Sequence, residues 1–84
     1  MQLKVLLFAT LKDRAGASHI TLDLPDGATS VARVKDALVE RFPALAPSMP
    51  TVVCAINQEF AEASQTVSAG DEVAFFPPVS GGRQ

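Results

Sequence analysis

One cysteine and one histidine are all that this chain holds of the two residue types that most often ligate metals or carry thiol and imidazole chemistry. Cys54 alone cannot close an intramolecular disulfide or supply a cluster of thiolate ligands. Its neighbours in "TVVCAI" are apolar, so it reads as a small buried hydrophobe rather than a reactive thiol. His19 falls on the wet face of an alternating segment with no serine, cysteine or carboxylate constellation beside it, and reads as a surface residue. Runs of one charge are missing too. Seven Lys and Arg against nine Asp and Glu leave a net charge of −2 over 84 residues. That excludes the basic footprint of a nonspecific nucleic-acid binder and a basic arm or membrane-surface helix. No stretch approaches the ~20 apolar residues of a membrane span. The N-terminal "VLLFATL" is apolar, but Lys12, Asp13 and Arg14 follow it without a small-residue cleavage site, which argues against a secretory signal. Metal-ligand spacing, a nucleophile elbow and a glycine-rich phosphate loop are all absent. Asp13, Asp26, Glu40, Glu59 and Asp71 show no spacing that would pair them as general acid and base. By elimination, the expectation is a cytoplasmic binding or carrier module. It needs no metal and no permanently bound cofactor, and it engages neither nucleic acid nor membrane.

What remains is enough for one compact core: 48% of residues are hydrophobic and 19% charged, which also argues against disorder. "LKVLLF" (Leu3 to Phe8) reads as a strand. Leu3, Val5 and Leu7 share one face; Lys4, Leu6 and Phe8 share the other. The second face is half apolar, so the strand is central or lies under a partner. "ATLKDRAGAS" reads as a helical turn ended by Gly16, and "HITLDL" as a strand with one wet face. Pro25-Asp26-Gly27 is a turn. Thr29 or Ser30 caps a helix running to about Phe42, with Val31, Val34, Leu38 and Phe42 as its buried stripe. Pro43 closes it, and "ALAPSMP" reads as a proline-broken connection. "TVVCAI" is a third strand, Asn57-Gln58-Glu59 a turn, "AEASQTVSAGDE" a polar loop and "EVAFF" (Glu72 to Phe76) the last strand. This order predicts an α+β fold, a mixed sheet packed against one main helix. In the β-grasp arrangement of such elements the last strand runs parallel to the first. Val73 and Phe75 then face the helix, while Phe8 and Phe76 face outward beside the departing tail, a candidate interface.

The tail is "PPVSGGRQ". Pro77 cannot donate to a ladder, so the sheet stops there. Pro77-Pro78 favours a stiff polyproline conformation. Six extended residues, Pro77 to Gly82, reach roughly 20 Å. Gly81 and Gly82 pass a narrow channel and leave the carbonyl open to attack. The expected organisation is a domain over 1–76 and a functional tail over 77–84.

In "GDEVAFFPPVSGG" (Gly70 to Gly82), in the opening "LKVLLFA" and in "AIN" at Ala55 to Asn57, the chain resembles the molybdopterin synthase small subunits. The similarity spans essentially the whole chain. It implies a ubiquitin-like β-grasp. It also implies that Gly82 is adenylated with ATP by an adenylyltransferase related to ubiquitin-activating proteins, then converted to a thiocarboxylate. The tail then enters a pocket of the large synthase subunit and gives sulfur to cyclic pyranopterin monophosphate. Catalytic side chains are expected on the large subunit, and the assembly is a heterotetramer. Gly81 is the second tail glycine. Phe8, Lys12, Phe60 and Phe76 match positions at or near the partner surface, with Pro77, Pro78, Val79 and Ser80 as the stem leading into the pocket.

The chain departs from that family in its last two residues. Family members end at the second glycine, whereas here Arg83 and Gln84 follow, and a peptide carbonyl is not adenylated. The reading therefore requires a protease that cuts after Gly82; the alternatives are an unprocessed inactive form and two foreign residues. Other functions compete: a carrier of the same fold for thiamine or cysteine synthesis, a ubiquitin-like modifier joined to lysines through Gly82, or a plain β-grasp interaction module.

Overall fold

The structure, a computed structural model, describes residues 1–78 apart from Asp26 and Ala28. The middle of the expected Pro25-Asp26-Gly27 turn, and Val79, Ser80, Gly81, Gly82, Arg83 and Gln84, lie outside the described residues.

Alternation sets the first strand. β1 (Gln2–Leu7) buries Leu3, Val5 and Leu7 on one side and exposes or half-exposes the residues between. Phe8 lies just past its end. α1 (Thr10–Ala15) is the expected short helix, stopped by Gly16 in the left-handed region, and it buries Leu11 completely. β2 (His19–Asp23) pairs antiparallel with β1. β3 (Thr29–Ser30) leads into α2 (Val31–Arg41), whose first turn is capped by the Ser30 hydroxyl accepting from the Arg33 N–H at 3.4 Å. Val31, Val34 and Leu38 form its buried stripe, and Phe42, just past its end, is half-buried against the core.

The proline-rich connection contributes more than expected. Residues Pro43–Thr51 form a 3-10 helix that buries Leu45 and Met49. Pro43 starts it, and Pro47 and Pro50 sit within it. A proline costs a 3-10 segment less than a long α-helix, since few internal bonds are lost. β4 (Val53–Ile56) and β5 (Glu59–Ala61) form a hairpin across Asn57 and Gln58, both at positive φ (49° and 74°). That is the signature of a two-residue primed turn. The presumed loop that follows contains a second small ladder, β6 (Thr66–Val67) on β3, which buries Val67. β7 (Glu72–Phe76) then enters the main sheet.

The sheet order is β2-β1-β7-β4-β5. β7 lies parallel to β1, with Leu7 opposite Phe75, and antiparallel to β4, with Cys54 opposite Phe75. The inner face of the sheet joins α1, α2 and the 3-10 helix in one core around Phe75. No polar or charged residue among the described ones is buried there.

One backbone feature was invisible in the sequence. The Leu11 N–H donates to the Phe8 carbonyl at 3.1 Å, closing a turn with Ala9 at φ 52°, ψ −127°. That conformation suits glycine, and a side chain there stores about 1–3 kcal/mol of strain. Ala9→Gly should raise the urea midpoint, with a net gain of about 1 kcal/mol after glycine's larger unfolded-state entropy. Ala9→Val should lower it; equal midpoints for all three chains would contradict the strain.

Candidate functional site

The outer face of the sheet, away from the helices, is where the phenylalanines gather. Registers place Leu6 opposite His19 and Ala74, Ala74 opposite Ala55, and Ala55 opposite Phe60. One row, His19–Leu6–Ala74–Ala55–Phe60, therefore crosses all five strands. With strands about 4.8 Å apart, β1 and β5 are separated by roughly 14 Å. The adjoining row, nearer the point where the chain leaves the sheet, is Phe8, Phe76 and Val53. Val53 pairs with Phe76, and Phe8 stacks on Phe76 with ring centroids 4.6 Å apart and planes 8° from parallel. Such stacking adds about 0.5–1.5 kcal/mol beyond burial.

Residue size shapes this surface. Ala55 and Ala74 are buried at 5% and 8% exposure and make a low floor between the Phe8–Phe76 stack and Phe60. Phe60 is 84% exposed and Phe8 40%. Leu6, Val53 and Phe76 are half-buried. Large apolar side chains around a small-residue floor can seat a complementary apolar surface.

Phe8 and Phe76 thus share one face, as the alternation predicted, and the β4–β5 register adds Phe60, which the family resemblance had named. Lys12 is exposed on α1 and lines a depression of about 240 Å³ with Leu6, Leu7, Phe8, Ala9, Ser18 and His19. Pro77 is half-buried at the end of β7 and Pro78 exposed. Val79, Ser80, Gly81 and Gly82 lie outside the described residues. Alternation groups Ala74 with Phe76, but Ala55, Ala74 and Val53 are not among the site residues that the sequence singles out. Their signal was the period of two: Ala74 precedes Phe76 by two, and Val53 precedes Ala55 by two.

Chemistry from side chains is sparse on this face. Cys54 points the other way, buried opposite Phe75, and desolvation pushes its thiol from 9.0 up to about 11, with Lys35 pulling weakly in the opposite direction. A larger hollow, about 790 Å³ between β2 and α2, is walled by Asp23, Arg33, Glu40 and Arg41 in mixed charge. Among the described residues no helix is long and apolar enough to cross a membrane.

Comparison with known proteins agrees with this geometry. The ThiS family profile matches residues 5–82. The molybdopterin synthase sulfur carrier subunit of Arabidopsis thaliana is 40% identical over 82 residues, covering 98% of this chain and 84% of that protein. Its namesake in Chlamydomonas reinhardtii is 40% identical over 84 residues, covering 98% and 100%. The crystal structure of SAMP1 from Haloferax volcanii superposes with a TM-score of 0.85 at 36% identity, covering 98% of this chain and 100% of that one. The fold is the ubiquitin-like β-grasp, and the chain belongs to the ThiS family, alongside the molybdopterin synthase sulfur carrier subunits.

Two adjacent phenylalanines should respond differently. Phe75 is fully buried, so Phe75→Ala should cost about 3–5 kcal/mol in urea unfolding. Phe76→Ala should cost about 1 kcal/mol, mostly the lost stack; equal losses would contradict the face assignment. Cys54 should resist alkylation at pH ~8 in the folded chain and react at once in denaturant. Since folding raises its pKa, the unfolded thiol ionises first as pH climbs. Stability should therefore be intact below about 9 and erode toward about 11. A Cys54→Ala chain, which lacks that ionisation, should erode less over the same pH range.

Proposed function

We propose that this chain is the sulfur-carrier subunit of a molybdopterin synthase. The observation that carries the reading is the parallel β1–β7 pairing. It puts the Phe8–Phe76 stack, the exposed apolar face and the exit of the C-terminal stem at one end of the sheet. Such a domain docks by its face and works by its end.

In the proposed cycle, an adenylyltransferase related to ubiquitin-activating proteins uses ATP to convert the Gly82 carboxylate to an acyl-adenylate. A carboxylate is a poor acyl donor until its oxygen becomes part of a leaving group. A hydrosulfide-level sulfur nucleophile then attacks the acyl carbon, the carbon–oxygen bond to AMP breaks, AMP leaves with the electron pair, and a thiocarboxylate remains on Gly82. Phe8, Phe60 and Phe76 seat on the large subunit, with Lys12 at the rim. Pro77 to Ser80 lead Gly81 and Gly82 into its pocket, where catalytic side chains of the large subunit complete the transfer. The acceptor is cyclic pyranopterin monophosphate, and two transfers build the dithiolene. The assembly is a heterotetramer, with two carriers at opposite ends of a dimer of large subunits. The chain itself holds no permanent cofactor. Because Arg83 and Gln84 block the carboxylate, the cycle begins with a protease that cuts the Gly82–Arg83 bond.

A second reading follows from one relative. Small archaeal modifier protein 1 of Haloferax volcanii is 38% identical over 84 residues, and its name supports a modifier attached to other proteins through Gly82. The carrier reading is preferred because the relatives named as synthase subunits are the more numerous.

Thiocarboxylated chain ending at Gly82, mixed with a large synthase subunit, should convert the pterin precursor, and deletion of Gly82 should abolish conversion. Phe60→Ala and Phe76→Ala should each weaken the complex about tenfold or more while the circular dichroism spectrum is kept. Gly82-dependent conjugates on a denaturing gel, without precursor conversion, would favour the modifier instead. Mass spectrometry of the active pool from the native host should find chains ending at Gly82; an intact Gln84 there would sink the trimming step.

A further inference from the structure

The depression between α1 and β2 lies outside the apolar rows yet continuous with them, since His19 ends the row that runs through Leu6, Ala74 and Ala55 to Phe60. Phe8 is both a wall of the depression and half of the aromatic stack. Lys12 lines it from α1 and His19 from β2, and no carboxylate is among its lining residues. The Ser18 hydroxyl and His19 Nδ1 lie 3.0 Å apart, which leaves the other ring nitrogen, Nε2, as the one available to a ligand. Neither Nε2 nor the Lys12 ammonium has a partner among the described residues.

From these observations, and resting on the carrier reading above, we infer that this depression receives a carboxylate side chain of the large subunit, held between Lys12 and His19. A partner seated on Phe8 and Phe76 covers the rim of the depression and removes water from it. A cation buried there without an anion would cost the complex free energy. An aspartate or glutamate on the partner removes that penalty and gains from the lowered local dielectric. The apolar rows then supply area, and this corner supplies register and partner choice.

Histidine makes the contact pH-sensitive, because only the protonated imidazole adds a second positive charge beside Lys12. The charged groups around His19 are few. β1 brings Lys4, which pairs with Thr21 one step along the face. α1 brings Lys12; its other charged residues, Asp13 and Arg14, do not line the depression. β2 itself carries Asp23, two positions beyond Thr21 on the same face, and α2 sends Arg41 to the Thr21 carbonyl. Proton uptake by the imidazole on docking then strengthens the complex as pH falls.

The test is calorimetric titration of the full chain and its variants with a large synthase subunit at pH ~8 and ~6, and at low and high salt. Wild type should bind about three- to tenfold more tightly at pH ~6, and His19→Gln should lose that gain while Lys12→Gln keeps it. Lys12→Glu should weaken binding about tenfold at low salt and less at high salt. Both side chains are exposed, so unchanged thermal unfolding should accompany these losses. A pH response that survives in His19→Gln, or Lys12→Glu binding as tightly as wild type at low salt, overturns the inference and leaves the carrier reading standing. Failure of the wild-type chain to bind at either pH overturns both.

Discussion

The parallel pairing of β1 with β7 is the contact from which the rest of the molecule follows. It joins residues 4–7 to residues 72–75, almost the whole chain length apart. Closing so long a loop costs entropy before any contact repays it. The repayment is concentrated at Phe75, which stands opposite Leu7 on one side and Cys54 on the other, with no exposed surface. The helices close over the same residue. Without β7 between them, β1 and β4 have no shared ladder, and the sheet divides into two hairpins that are marginal in water.

Such a strand must hold its register, because a slip of one residue would expose Phe75 and bury Phe76. The clamp sits at the start of β7. Asn57 donates its backbone N–H to the Glu72 carbonyl at 2.8 Å and accepts from the Glu72 N–H through its side-chain oxygen at 3.0 Å. Its amide donates to Asp71 at 3.1 Å, while the other Asp71 oxygen accepts from the Ser68 N–H at 2.8 Å. The β4–β5 turn and the entry to β7 are thus tied by one asparagine, at the end of the strand opposite the aromatic stack. That separation lets the fixed end set the register and leaves the other end open for contact.

The alternation of β1, β2 and β7, the Ser30 cap and the Val31–Val34–Leu38 stripe were readable because each follows a short-range rule of period two or 3.6. The unexpected features lacked such a rule. Leu45 and Met49 belong to the core although prolines stand around them, since the segment is wedged against both α1 and α2, a tertiary contact that no helical repeat in the sequence announces. Thr66 and Val67 form a strand because Thr29 and Ser30 offer a ladder, a partner no local propensity reveals. Leu11 was lost in what looked like a turn. In the candidate site, Phe8 and Phe76 came from alternation plus topology, and Phe60 from family resemblance. The alanine floor and His19 needed the registers of four ladders to be known together.

Two features near the exit of the chain, Pro77 and the unusual turn at Ala9, solve one problem. In a parallel ladder, Phe8 would use its N–H on residue 75 and its carbonyl on the N–H of residue 77. The first bond is present, Phe8 N–H to the Phe75 carbonyl at 3.3 Å. The second is impossible, because residue 77 is proline and has no N–H. The Phe8 carbonyl would be left without a donor beside an apolar stack. The Ala9 turn supplies one instead, bringing the Leu11 N–H to it at 3.1 Å. Proline stops the sheet from zipping further along β7, and the turn carries β1 away and satisfies the acceptor that proline abandons. The strain stored at Ala9 is the cost of ending the ladder at Phe76, where the chain leaves the sheet beside the exposed apolar face.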